Sequence, residues 1–102
     1  MSLENRIEKV FSDLFPINRS LTGRGVDKTF DYIIKHFMPN GEVKSISSGT
    51  QVFDWVVPDE WNVDDGYIIN GAGQKIVDIK TSNLHVMSYS DSVDKIIYTD
   101  EL

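Results

Sequence analysis

The spacing of apolar residues changes once along this chain, near residue 41, and this change limits the folds that the chain can adopt. Before residue 41, apolar residues recur every three or four positions, as on one face of an α-helix. After it, short runs rich in β-branched and aromatic residues alternate with turn residues, which is typical of strands. The sequence therefore predicts an α+β fold, with a helical hairpin over residues 1–41 and a β-rich segment over residues 42–102.

Two helices are predicted in the first segment. Ser2 can cap the first helix and Pro16 ends it, because the residue before a proline avoids the helical region. Thr22 or Asp27 can cap the second helix, which the cluster at residues 39–41 ends. We expect the two helices to pack on each other and on a sheet. Their apolar stripes are Leu3, Ile7, Val10, Phe11 and Leu14, and then Val26, Phe30, Ile33, Ile34 and Phe37.

The second segment predicts an antiparallel sheet, or a small β-sandwich, of about five to six strands. Two hairpins are expected: "EVKSIS" with "QVFDWVVP" around Ser48-Gly49-Thr50, and "GYIIN" with "QKIVDIK" around residues 70–73. The fifth and sixth strand candidates are "NLHVMSY" and "DKIIY". Residues 99–102 look like the capped start of a helix that is then cut, which favours a piece of a longer polypeptide over a frayed natural C-terminus.

The bulk composition excludes several classes of function. The chain has 102 residues, with 10 basic and 16 acidic side chains and a net charge of −6. This charge disfavours nucleic acid and anionic membranes as partners. No apolar run approaches the ~20 residues of a membrane span, so we expect a cytoplasmic protein. The absence of cysteine excludes disulfides, thiolate zinc sites and a cysteine nucleophile.

The residues of this chain do not form a recognisable catalytic or metal-binding motif. The two histidines, His36 and His85, lack the spacing of zinc ligands, and we expect both to be structural. The acidic stretch of residues 58–66 lacks the glycine and glutamate of a calcium loop and predicts a solvated turn between strands. We therefore expect no catalytic residue, metal ligand or cofactor in this chain.

The stretch "LFPINRSLTGRG" between the two helices allows two interpretations. As a binding element, it would offer the free N–H groups of a helix start and the forked donors of Arg19 and Arg24 to an anion. Ser20 and Thr22 would add hydroxyl donors. As a plain connector, Arg19 would pair with an acidic neighbour and Thr22 would only cap the helix. The residues alone favour the connector.

Three stretches carry a resemblance to a known family. In this order, they are "LFPINRSLTGRGVDKTFDYI", "SGTQVFDWVVPDEWNVDDGYI" and "SNLHVMSYSDSVDK". Together they resemble the N-terminal part of a bacterial aminopeptidase-like family that is associated with polysaccharide biosynthesis and is similar to the co-catalytic zinc aminopeptidases. The resemblance implies the non-catalytic N-terminal segment of a zinc-dependent hydrolase, whose zinc and its ligands lie beyond Leu102. Met87-Ser88 departs from the family pattern, which bears on packing.

The resemblance also implies candidate site residues. Arg19, Ser20, Thr22 and Gly23 match the arginine-serine-x-threonine-glycine pattern of the family and are the candidate substrate-binding residues. Six further positions match the family and are expected to line or brace the cleft: Phe53, Asp54, Trp55, Asn83, Leu84 and His85. The resemblance itself assigns no catalytic residue here.

A second interpretation is a small β-rich module without enzymatic activity, which would recognise a protein or a carbohydrate through Trp55 and Trp61. Under the first interpretation, the partner of this segment is the remainder of the parent polypeptide. Because unpaired strand edges favour pairing between chains, we also expect a homodimer.

Overall fold

The structure of the protein is a computed structural model that describes residues 2–102. It contains two α-helices, four short strands and two 3₁₀ turns, so the α+β class is confirmed. The elements are α1 Leu3–Leu14, α2 Arg24–His36, β1 Gln51–Val52, β2 Trp55–Val56, β3 Tyr67–Ile69, β4 Lys75–Asp78 and the 3₁₀ turns Asn83–His85 and Thr99–Glu101.

The first helix begins and ends where its sequence predicts. Ser2 is the N-cap, and its Oγ accepts the backbone N–H of Asn5 at 3.2 Å. This bond satisfies one of the donors that a helix start leaves free. Phe15 closes the helix by donating its N–H to the carbonyl of Phe11, immediately before Pro16.

The second helix ends at His36, before the predicted stop at residues 39–41, but its predicted caps are wrong. The N-cap is Gly23, which has no side chain to accept a hydrogen bond. The acceptor comes from a distant part of the chain instead: Asn62 Oδ1 accepts the N–H of Arg24 at 2.6 Å. A local capping rule misses this acceptor because it reads only the adjacent residues.

The strands form two separate antiparallel hairpins. In the second hairpin, Tyr67 pairs with Asp78, and a bulge follows Ile68. Its turn lies at the predicted place, where Asn70 Oδ1 accepts the N–H groups of Ala72 and Gln74, each at 3.0 Å. The prediction of a hairpin around residues 70–73 is confirmed.

The expected sheet of five to six strands is wrong. "QVFDWVVP" is not one strand, because it turns back at Phe53-Asp54 and pairs with itself. Residues 42–47 form no strand, "NLHVMSY" contains the 3₁₀ turn Asn83–His85, and "DKIIY" forms no strand either. A strand needs a ladder partner for its N–H and C=O groups. These runs have strand-like composition, but none of them finds such a partner within residues 2–102.

Little of this chain is buried. Gly23 and Ile79 are the only buried residues among those that the structure describes. The radius of gyration is 18.0 Å, and the extents are 52 × 43 × 19 Å. A compact domain of this length has a radius of about 13 Å. The chain is therefore an open, flat arrangement without a continuous core.

The helices do not cover their apolar stripes against a sheet, so that expectation is also wrong. Ile7 and Phe11 on α1 are exposed, as are Phe30 on α2 and its C-cap residue Phe37. The helices are joined instead by a polar contact between side chains, in which Tyr32 Oη donates to Asp13 Oδ2 at 2.7 Å. Within residues 2–102, neither helix has the length and apolarity that a membrane span requires.

Candidate functional site

The loop between α1 and α2 is held against the segment Trp61–Asp64, and we call this contact the loop junction (residues 16–25 with 61–64). The Ser20 hydroxyl lies 2.7 Å from the carbonyl oxygen of Thr22 and 2.8 Å from that of Trp61. The backbone N–H of Trp61 also donates to the carbonyl of Thr22 at 3.0 Å. These bonds join two segments that lie about forty positions apart in the sequence.

Two glycines make this close approach possible. A Cβ on Gly23 would lie 2.5 Å from the carbonyl oxygen of Trp61 and 2.7 Å from Asn62 Oδ1. A Cβ on Gly25 would overlap the carbonyl of Asn18. Since backbone atoms cannot move aside as a flexible side chain can, the loop junction requires glycine at both positions.

The start of α2 is already occupied by groups of the chain itself. Besides the bond from its N–H to Asn62, Arg24 forms an ion pair between Nη2 and Asp64 Oδ1 at 2.7 Å. The Asp64 side chain is 89% exposed, so this is a surface ion pair. The residues 58–66 do lie between strands, but they are more than the solvated turn that the sequence predicts, because Asn62 and Asp64 hold α2.

Arg19 connects the two helices. Its Nη1 donates to the carbonyl of Leu14 at 2.9 Å and to Thr29 Oγ1 at 3.3 Å. A cation at the C-terminal carbonyls of a helix is favourable, because the helix dipole is negative there. The acidic partner that the connector interpretation expects for Arg19 is absent from residues 2–102. The Nε and Nη2 donors of Arg19 have no partner in the same range.

A cleft of about 190 Å³ lies beside Arg19. Its wall includes residues from three parts of the chain: Ile17, Asn18, Arg19, Trp61, Val63, Ile79, Asn83, Val86 and Ser88. Asn83 reaches the α1 end as well, because its Nδ2 donates to the carbonyl of Phe15 at 2.7 Å. The cleft therefore brings polar amides, one guanidinium and apolar side chains together, which is a lining suited to a small polar group.

A second cleft, of about 350 Å³, is lined by residues of the loop, of α2 and of the segment 62–64. It shares Ile17, Asn18 and Val63 with the first cleft and carries the cationic side chains Arg24 and Lys28. Residues of the loop junction therefore line two open depressions.

The four candidate substrate-binding residues occupy different positions. Arg19 lines the first cleft. Ser20 directs its hydroxyl into the loop junction, Thr22 contributes its carbonyl there, and Gly23 is buried. The structure brings Arg19 and Asn83 together, whereas Phe53, Asp54 and Trp55 line neither cleft.

Sequence reasoning missed two asparagines that shape this region, Asn18 and Asn62. Asn83, which matches the family pattern, does line the first cleft. One signal could have indicated Asn62. A helix that begins at glycine has no side-chain acceptor of its own, so an acceptor from elsewhere is required.

Trp61 is a structural residue of the loop junction. Its Nε1 donates to the carbonyl of Ser90 at 3.0 Å, and its ring stacks on Tyr89 with centroids 6.1 Å apart. Tyr89 is held in turn by its hydroxyl, which donates to the carbonyl of Asp59 at 2.9 Å. Because one face of the indole ring is covered, Trp61 presents less aromatic surface to a sugar than the module interpretation requires.

The histidines lie apart from the cleft lining. His36 packs its ring against Tyr32 with centroids 4.3 Å apart. His85 is not on a strand as predicted; its Nδ1 lies 3.0 Å from the backbone N of Asp78. In the described part of the chain, no three histidine or carboxylate side chains lie close enough together to hold a metal ion.

The contact between Tyr32 and Asp13 shifts the pKa of both groups. The hydrogen bonds from Tyr32 and then from Lys9 lower the pKa of the Asp13 carboxyl below its ordinary value of 3.8. The bond to Asp13 raises the pKa of the Tyr32 hydroxyl above 10.0, with desolvation as the second cause. This pair links the helices and lines neither cleft.

Residues 8–101 match the family described as "Domain of unknown function (DUF4910)". A Clostridium acetobutylicum protein is 52% identical over 96 residues, which are 94% of this chain and 22% of that protein. Its provisional name is a polysaccharide biosynthesis protein with an aminopeptidase-like domain. The chain thus spans about a fifth of the length of this curated relative.

A crystal structure at 2.37 Å resolution, of a protein from the same organism that is provisionally described as a peptidase, has the same fold in the matched region. The TM-score is 0.88 at 51% identity, and the match covers 96% of this chain and 23% of that protein. The matched region is its N-terminal part. The predicted resemblance to an aminopeptidase-like family is confirmed.

Proposed function

The chain belongs to the DUF4910 family, and from that premise we propose that it is the non-catalytic N-terminal segment of a zinc-dependent aminopeptidase-like hydrolase linked to surface-polysaccharide biosynthesis. In this proposal, the zinc ligands and the general base belong to the polypeptide that follows residue 102. Residues 2–102 support the reaction centre and contribute one wall of the substrate cleft.

The observation that carries this proposal is the exposure of the apolar faces. A domain of about 100 residues normally buries roughly two thirds of the surface of its unfolded chain. Within residues 2–102, only Gly23 and Ile79 are buried, while Phe11, Phe15 and Leu84 are each more than 60% exposed. Large uncovered apolar patches mark surfaces that another part of a protein covers. The relative is more than four times longer than this chain, so it has enough polypeptide to supply that cover.

Arg19 is the residue of this segment that we propose to contact substrate. Its Nη1 braces the two helices, which leaves the Nε and Nη2 donors available at the first cleft. Asn18 and Asn83 supply amide groups on the same wall. A guanidinium beside two amides suits a carboxylate or another polar group of the substrate. Ser20, Thr22 and Gly23 hold the loop that positions Arg19.

The first experiment compares the full-length gene product with residues 1–102 alone on aminopeptidase substrates. We expect turnover by the full-length protein, loss of that turnover with a chelator and recovery with zinc. The 102-residue chain should show no turnover with or without zinc. Turnover by the short chain, or full activity of the long one after metal removal, would contradict the proposal.

A second experiment separates binding from bracing at Arg19. Arg19→Ala in the full-length protein should lower kcat/KM roughly tenfold or more, since a hydrogen bond to a charged group contributes about 1.5–3 kcal/mol. Thr29→Val is the matched control, because it removes one acceptor of Arg19 but leaves its guanidinium in place. Equal kinetics for the two variants would assign Arg19 a purely structural role.

A further inference from the structure

Residues 47–58 form a hairpin that we call the arm. Its ladder joins Gly49 N to the carbonyl of Val57 at 2.8 Å and Val57 N to the carbonyl of Thr50 at 2.9 Å. At its base, the Ser48 hydroxyl donates to the carbonyl of Pro58 at 2.8 Å. Every hydrogen bond of the arm within residues 2–102 is internal to it. A two-stranded hairpin is marginally stable at best when nothing packs on it.

The tip of the arm combines an unusual backbone with an exposed aromatic ring. Phe53 has a φ of 54°, and Asp54, the next residue, is not among those with positive φ. These are the φ signs of a type II′ turn, whose first central position favours glycine. A bulky residue in this left-handed region is an outlier. Nevertheless, the position holds a phenylalanine whose side chain is 96% exposed.

Tyr89 also has a positive φ, but its side chain is held by contacts with other residues. Tyr89 has a φ of 64°, and these two are the non-glycine residues with positive φ in the described range. The ring of Tyr89 stacks on Trp61, and its hydroxyl donates to the carbonyl of Asp59. Its contacts offset the backbone strain, as expected where the surrounding structure determines a residue's conformation. The carbonyl of Phe53 accepts the Gln51 Nε2 at 2.7 Å, but the Phe53 ring has no aromatic partner within residues 2–102 and is 96% exposed.

We propose that the arm docks into an apolar pocket on the part of the same polypeptide that follows residue 102, with Phe53 as the anchor. Trp55 and Val56, which are 53% and 49% exposed, would lie against the rim of that pocket. This inference rests on the proposal that the chain is the N-terminal segment of a longer protein.

We expect the arm to dock on its own polypeptide rather than on a second copy, because a tethered partner has the higher effective concentration. The curated relative is long enough to provide the pocket, because the present chain matches only 22% of it. A tethered segment has an effective concentration in the millimolar range. Docking within one polypeptide therefore prevails over docking between copies at micromolar protein, provided that the tether reaches the pocket.

The first test uses the sign of a stability change. If the Phe53 ring faces water, Phe53→Gly relieves the left-handed backbone, and the Tm of the full-length protein rises. If the ring is docked, the same substitution empties a pocket, and Tm falls by several degrees. Phe53→Tyr, which keeps the ring, is the matched control and should leave Tm within about a degree. We expect a fall for Phe53→Gly; a rise or no change would overturn the proposal.

The second test identifies the occupant and does not depend on a stability change. Phe53→p-benzoylphenylalanine is introduced in the full-length protein, which is then irradiated and analysed by mass spectrometry. We expect a cross-link to a peptide beyond residue 102 in a product of monomer mass. A cross-link of dimer mass, a cross-link only within residues 2–102, or none, would each overturn the proposal. Glu60→p-benzoylphenylalanine, at an exposed position just beyond the arm, is the control and should give a several-fold lower yield.

The two proposals can fail separately. An intrachain cross-link from position 53 in a protein without zinc-dependent peptidase activity would remove the proposed function and leave the docking intact. Peptidase activity without the cross-link would remove the docking alone.

Discussion

The loop junction and the arm both contain residues of the family motifs, yet they differ in how their groups are satisfied. In the loop junction, Gly23 is buried, and Asn62 and Ser20 bond to backbone groups of another segment. In the arm, the hydrogen bonds are internal and the aromatic side chains face outward. Contacts within this chain therefore organise the loop junction, whereas we propose that contacts outside residues 2–102 organise the arm.

The substitution with the largest expected effect on stability tests whether the loop junction is as tightly packed as its geometry indicates. Gly23→Ala would place a Cβ 2.5 Å from the carbonyl of Trp61, so we expect a loss of about 3 kcal/mol in the free energy of unfolding. Urea denaturation of the full-length gene product measures it. Gly71→Ala is the control, because nothing lies within 4 Å of its Cβ, and it should change stability by less than about 0.5 kcal/mol. Equal changes at both sites would contradict the contrast between packed and open regions.

The next effect concerns the cap that Asn62 supplies to α2. Asn62→Ala removes the acceptor of the Arg24 N–H, which should cost about 1 kcal/mol of stability. Asn62→Asp keeps an acceptor at the same place and should retain most of that stability, since a negative charge suits a helix start. The same urea midpoints measure both. An equal loss for the two variants would show that the cap is not the reason for the effect of alanine.

A substitution with a smaller expected effect tests whether the loop junction depends only on contacts within this chain. The pair of Arg24 and Asp64 is exposed, so Asp64→Asn should cost about 0.5 kcal/mol at most and less in high salt. Unfolding free energies at low and high salt are the measurement. A loss well above 1 kcal/mol in the full-length protein would mean that other polypeptide covers this pair and that the loop junction also depends on outside contacts.

The smallest effect is the pH dependence of the contact between the helices. The pKa of Asp13 is lowered in the folded state, so its contribution is complete above pH 3.8 and is lost as pH falls through the lower folded value. The pKa of Tyr32 is raised, so its contribution is complete below pH 10.0 and is lost as pH rises through the higher folded value. Tyr32→Phe removes the bond and should flatten the Tm profile at both ends. Identical acid limbs for wild type and variant would mean that this bond does not contribute.

Local signals predicted the elements whose partners are close in the sequence. The stripe from Leu3 to Leu14, the Ser2 cap and Pro16 define α1 without reference to the rest of the chain. The asparagine and glycine turn at residues 70–73 predicts its hairpin because the two strands are adjacent. The arm was missed because its turn uses Phe53, a residue type that turn rules exclude from this position.

In the candidate site, too, local patterns predict single residues but not their distant partners. The motif identifies Arg19, but its partners Leu14 and Thr29 lie on two different helices whose relative placement no local pattern gives. Asn62 and Asn83 carry no motif of their own that indicates hydrogen bonding. Their roles depend on segments about forty and almost seventy positions away.

Local sequence patterns suffice to predict the α+β class, both helix bodies, the second hairpin and the family resemblance, because each depends on residues within one turn or one motif. Three features follow from the three-dimensional arrangement: Asn62 caps α2, "QVFDWVVP" folds back on itself, and the remaining strand-like runs find no partner within residues 2–102. The spacing of apolar residues shows which face of a segment avoids water, but it does not show what covers that face. Strand pairing and capping across the chain require a partner in space, and its position follows from the whole fold.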